Sequence, residues 1–235
     1  LTMLTAAKSA GASIDGVLLK LQCAVGGSTT PQECTDAAAL KNVDGLTSLE
    51  TIDGWLSIRD NPVLESLSGL AKLNHVGTSV KIEGNPALPN LSGLEALTTV
   101  DGSVWVEDNA ILVDLLGLTN MTPGDAVVIA NNPELVNLDG LTMTDISSYL
   151  HITSNDKLVS LAGLANLQTV AGTFYVAYND GLLNLDGVDA LQSVGELSVK
   201  FNSVLPTCEA EALEGQITVS GNVSIEGNDD TGTCD

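Results

Sequence analysis

Leu56-Ser57-Ile58-Arg59-Asp60-Asn61 is rewritten along most of this chain. An apolar residue five before an Asn and another three before it recur at Asn61, Asn85, Asn109, Asn132, Asn155, Asn179, Asn202 and Asn228. The apolar pairs are Leu56/Ile58, Val80/Ile82, Val104/Val106, Val127/Ile129, Leu150/Ile152, Phe174/Val176, Leu197/Val199 and Val223/Ile225. Between them runs a second phrase, Leu-x-x-Leu-x-Gly-Leu, as in Leu64 to Leu70. Its first Leu falls at positions 40, 64, 88, 112, 135, 158, 182 and 205, a spacing of 23 or 24. A fixed period of this size signals a solenoid, because one such unit cannot bury its own apolar face and needs its neighbour against it.

Each unit carries one short alternating strand whose two apolar side chains face one way. Stacked strands form a parallel sheet and turn their apolar residues into a continuous core. The Asn suits the bend out of the strand, where a buried amide satisfies backbone groups that the turn leaves open. Pro follows it at Pro62, Pro86 and Pro133. The recurrent Gly, at 45, 69, 93, 117, 140, 163 and 187, supplies a second corner of positive φ.

The phrase Leu-x-Ile-x-x-Asn-x-x-Leu-x-x-Leu-x-Gly-Leu-x-x-Leu-x-x-Val resembles the receptor L-domain type of leucine-rich repeat, over residues 40–228. That type occurs in receptor ectodomains, fungal cell-wall proteins and many secreted bacterial and protist proteins. The resemblance implies a leucine-rich-repeat-like solenoid of about eight 23–24-residue coils with a parallel β-sheet. It also implies an extracellular or cell-surface role in recognition or structure, with no catalytic motif and no cofactor.

Charge narrows the partners. Thirty acidic residues against eight basic ones leave a net charge of −22. Nucleic acid and anionic membrane are poor partners for such a surface, because phosphate binding needs clustered Lys and Arg. The acidity reads as a solubility device, with loose divalent-cation binding as the lesser alternative. Neither an EF-hand loop nor a Gly-Gly-x-Gly-x-Asp array occurs, so no specific metal site is expected.

The four cysteines sit at the ends of the repeat region: Cys23 and Cys34 before it, Cys208 and Cys234 around its last unit. Spacing alone allows three pairings. Local pairs would staple the two ends, whereas long-range pairs would have to cross the length of the coil, which disulfide geometry forbids. Zinc is the rival reading, but there is no Cys-x-x-Cys and neither His is close in sequence. Disulfides imply an oxidising compartment.

Three regions follow: an N-terminal arm and cap (1–39), the repeat solenoid (40–207) and a C-terminal cap with the last coil (208–235). The chain begins at Leu1 rather than Met, which reads as a processed or partial form. Residues 1–12 are too short to span a membrane and lack the apolar core of a signal peptide. Residues 14–22 read as a short helix or an edge strand covering the first coil, or alternatively as an arm reaching a neighbouring molecule. Residues 209–216 read as a short helix with Leu213 inward, followed by a terminal strand from Val219 to Ile225. Asn90, Asn120 and Asn222 head glycosylation sequons.

Catalysis finds no foothold. His75 and His151 occupy different phases of the repeat, and no nucleophile elbow, zincin, P-loop or dinucleotide fingerprint occurs. The informative pattern lies on the outer face of the strands, at positions six, four and two before each Asn. Those 24 positions hold four of the chain's seven aromatics, Trp55, Trp105, Tyr149 and Tyr175, where an even distribution would place fewer than one. Arg59, Lys81 and Lys200 join them. The expected binding face is Trp55, Lys81, Trp105, Val128, Tyr149, His151 and Tyr175, offered to a protein or glycan partner. The alternatives are plain β-propensity, or homotypic contacts in an extracellular filament or layer.

Overall fold

The computed structural model describes residues 17–19 and 41–234. The arm's other residues, and with them Cys23 and Cys34, lie outside that range.

The eight strands that precede the repeated Asn, together with β1 at the N-terminal edge, lie in one parallel sheet. In chain order they are β1 (Val17–Leu19), β3 (Leu56–Arg59), β5 (Val80–Glu83), β7 (Val104–Glu107), β9 (Val127–Ala130), β11 (Leu150–Thr153), β12 (Thr169–Ala177), β13 (Ser193–Lys200) and β15 (Val223–Glu226). Every neighbouring pair is parallel and in phase, so Leu56, Val80, Val104, Val127, Leu150, Phe174, Leu197 and Val223 lie in one row. Successive units therefore stack as coils of a solenoid-like parallel β fold, with their inward side chains in a single core. β1 extends the row at the N-terminal end, with Val17 opposite Leu56 and Leu19 opposite Ile58. Of the helix and strand readings for residues 14–22, the strand is the one found at Val17–Leu19, the part of that stretch within the described residues.

Repeat length alone did not reveal a second sheet. Short strands β2 (Thr51–Ile52), β4 (His75–Val76), β6 (Thr99–Val100) and β8 (Thr122–Pro123) form it on another side of the coil. The next in phase, β10 (Asp145–Ile146), does not pair with β8 but with the long β12. The cause is local. Both coils here are one residue short, but the shortening falls after Met121 in one and before Met143 in the next. Both methionines are buried, and this flexible side chain fills irregular space where Leu stands elsewhere. A groove of about 460 Å³ opens at the break, between Pro123, Thr142, Met143 and Asp145.

The corners explain the remaining pattern. The residue before the repeated Asn is left-handed in all eight units: Asp60, Asp108, Asn131, Ser154, Tyr178 and Phe201 have φ of 52–57°, and Gly84 and Gly227 have φ of 65° and 70°. The Asn then closes the turn. Asn132, for instance, donates from Nδ2 to Val106 O (2.9 Å) in the preceding coil and to Ala130 O (3.0 Å) in its own. Its Oδ1 accepts the backbone N–H (3.1 Å) and Nδ2 (3.3 Å) of Asn109. The same links repeat from Asn61 to Asn228, giving a buried ladder of amides.

The Leu-x-x-Leu-x-Gly-Leu phrase forms tight turns, with short 3-10 helices such as Ser68–Leu70 and Leu116–Leu118. Its glycines are required mainly by close approach. A Cβ on Gly69 would stand 1.8 Å from Val43 O, and one on Gly117 2.0 Å from Leu91 O. Positive φ, expected of this corner, holds only at Gly93, Gly140 and Gly187 among the seven.

At the C-terminal end α1 (Thr207–Gln216) replaces the turn phrase and buries Ala210 and Leu213. The terminal strand foreseen from Val219 to Ile225 is two strands, β14 (Thr218–Val219) and β15, because the chain bends at Gly221 between two segments that both pair with the long β13. Cys208 and Cys234 are bonded, with Cα atoms 6.1 Å apart. This is the local pairing of the C-terminal end.

Candidate functional site

The outer row of the main sheet runs Ser57, Lys81, Trp105, Val128, His151, Tyr175, Ser198, Ser224, one residue per coil. At about 4.8 Å per strand, Trp105 to Tyr175 spans about 14 Å. Tyr149 flanks His151 with ring centroids 4.4 Å apart, and Tyr175 meets His151 edge-on at 5.3 Å. Val128 fills the place between Trp105 and His151 and is only 8% exposed, so it is floor rather than contact surface. Trp105, Tyr149, His151 and Tyr175 are half-buried, each with one side against the sheet. Trp55 is 42% exposed but stands on the first coil, four strands from Tyr149, outside this cluster.

Lys81 neighbours Trp105, yet its ammonium is already held by Glu83 (3.2 Å) and Glu107 (3.1 Å). Partial burial pulls its pKa down, but the hydrogen bonds and charges of Glu107 and Glu83 outweigh that and hold it above the ordinary lysine value. Arg59 pairs with Glu83, and Lys200 with Glu226 (2.9 Å). Every cation on this face is thus closed on a neighbouring carboxylate. Between the two ionic zones, the outer positions of β9, β11 and the Phe174–Ala177 end of β12 carry no formal charge: Ala126, Val128, Ala130, Tyr149, His151, Thr153, Thr173, Tyr175 and Ala177. Burial lowers the pKa of His151, which keeps the imidazole neutral near pH 7.

A flank of the coil escaped the alternation pattern. Four residues after the repeated Asn, Val113, Val136, Val159 and Leu183 stand 40–58% exposed on four successive coils. Tyr178 and Phe201, both left-handed, stack on each other at the adjoining corner (5.1 Å, 16° between planes). The signal was an apolar residue at one phase of four consecutive repeats. Of the sequon asparagines, Asn120 and Asn222 are exposed, while Asn90 is half-buried with its Oδ1 accepting the Ser92 N–H.

No group of three or more His, Cys, Asp or Glu is placed to hold a metal ion among the described residues, and no helix there is long and apolar enough to cross a membrane. No protein-family model, curated protein or solved structure matches this chain.

Proposed function

We propose that this chain is a leucine-rich-repeat-like solenoid of about eight coils, of receptor L-domain type, acting as a non-catalytic recognition module outside the cell. The partner is a neutral glycan or an uncharged protein segment, seated over Trp105, His151 and Tyr175. One observation carries the reading: in a chain of net charge −22, an aromatic strip lies uncharged between ion pairs that are already satisfied. Such a strip offers ring stacking and apolar contact and has no free cation for an anion. A stiff sheet holds the rings in place, so little ordering opposes binding. The bonded Cys208–Cys234 pair supports an oxidising compartment.

The test is an array of neutral oligosaccharides probed with wild type, Trp105→Ala and Tyr175→Ala, with solution mass measured in parallel. Binding that falls at least tenfold in both variants supports a glycan partner on this strip. Equal binding by all three proteins would reject the face. A mass that drops in Trp105→Ala would instead make the strip a contact between copies.

A further inference from the structure

The main sheet has two unlike ends. At the C-terminal end, β15 is bonded on one side only among the described residues, to β13. Val223 is 38% exposed there, whereas its seven counterparts from Leu56 to Leu197 are at most 1% exposed. Ile225 is partly exposed at a phase that is fully buried in the other coils. In each interior coil the N–H groups five and one before the Asn reach the next coil, as Leu197 does to Asn222 O (3.0 Å) and Phe201 to Glu226 O (2.9 Å). By the same phase, the N–H groups of Val223 and Gly227 point off the end of the sheet. The amide ladder also stops here on donors: Asn228 Oδ1 accepts from Asn202, but no acceptor meets the Asn228 N–H among the described residues. The opposite end is β1, which among the described residues is bonded only to β3 and matches it in phase.

Charge selects what fits that open edge. Residues 1–81 hold six of the eight basic and eight of the thirty acidic residues, a net of −2. Residues 82–235 carry the remaining −20, and residues 207–235 have seven acidic groups and no basic one. Two C-terminal ends would repel each other, would pair antiparallel and would set ladder donors against donors. The N-terminal end of another copy offers a parallel strand, the right phase and a part of the chain that carries only −2 of its −22 charge.

We infer that β15 is a docking edge for the N-terminal end of a second copy of this chain, adding head to tail onto β1. Such a contact is heterologous and does not close on itself, so repetition builds a filament with one sheet running through it. It uses the ends of the solenoid rather than the aromatic strip, and stands or falls apart from the recognition reading.

Sedimentation and light scattering of the full chain over a hundredfold range of concentration test this. Wild type is expected to gain mass steadily without a plateau. Val223→Lys blocks the C-terminal edge, and Leu18→Pro removes an N–H that points away from β3. Each variant alone is expected to stay at one chain mass, and a mixture of the two to form a one-to-one dimer through the edge that each retains. Trp105→Ser is expected to assemble like wild type. A wild type that stays at one chain mass at all concentrations overturns the inference whether or not the variants fold. So does a mixture of folded variants, checked by circular dichroism, that stays at one chain mass.

Discussion

Gly117 and Gly45 stand at the same phase of the repeat and differ only in what lies behind them. A Cβ on Gly117 would enter the Leu91 carbonyl at 2.0 Å, whereas one on Gly45 meets nothing within 4 Å among the described residues. Gly117→Ala is therefore expected to destabilise by about 3 kcal/mol, and Gly45→Ala to change stability by less than about 0.5 kcal/mol. Urea unfolding of both variants checks this, and equal effects would refute close approach as the reason for the glycine. At His151, burial depresses the folded-state pKa below its unfolded value near 6.5. The unfolded chain then takes up a proton that the folded chain resists, so this contribution is complete above about pH 6.5 and is lost as pH falls toward the folded pKa. His151→Gln should flatten the stability profile on the acid side of that value relative to wild type. Parallel profiles would show that the imidazole titrates alike in both states.

At the scale of elements, the amide ladder turns a row of corners into one structure. Removing Asn132 strands the Val106 and Ala130 carbonyls and the Asn109 N–H. At about 1–3 kcal/mol for each buried unpaired group, Asn132→Ala should lose about 4 kcal/mol. Asn61 supplies its own strand end through Nδ2 to Arg59 O and has an Oδ1 with no partner among the described residues, so Asn61→Ala should lose about 1 kcal/mol. Equal losses in thermal or urea unfolding would contradict a ladder whose rungs depend on their neighbours. The strands were legible because Leu56/Ile58 and their counterparts alternate so regularly, and the Asn because nothing else at that phase satisfies a buried turn. The left-handed residue before it was also written in the sequence, as Asp60, Gly84, Asp108, Asn131 and Ser154, all types that tolerate positive φ. Tyr178 and Phe201 hid the rule, since bulky side chains rarely occupy that region. The break at β8 was not legible: it depends on which side of Met121 and Met143 each coil is shortened, and total spacing is blind to that.

Across the whole molecule, the sequence reading succeeded where chemistry repeats and thinned where it depends on contact between coils. It selected Trp105, Tyr149, His151 and Tyr175 from their phase alone, and the rings of three of them meet. It could not know that Lys81 is held between Glu83 and Glu107, because those partners come from its own strand and the next. Nor could it separate Val128, which reads as exposed by alternation but is covered by larger neighbours. The direction of the backbone hydrogen bonds has a mechanical consequence. All the bonds between coils lie along the solenoid axis, so a pull on the two ends loads them one coil at a time, as in opening a zipper, rather than sharing the force among many. Each coil peeled away releases 23–24 residues of slack, roughly 80 Å when extended. The Cys208–Cys234 bond shuts off that release at one end. Under such a load the stretch closed by Cys208 and Cys234 is expected to hold while coils outside it peel one at a time.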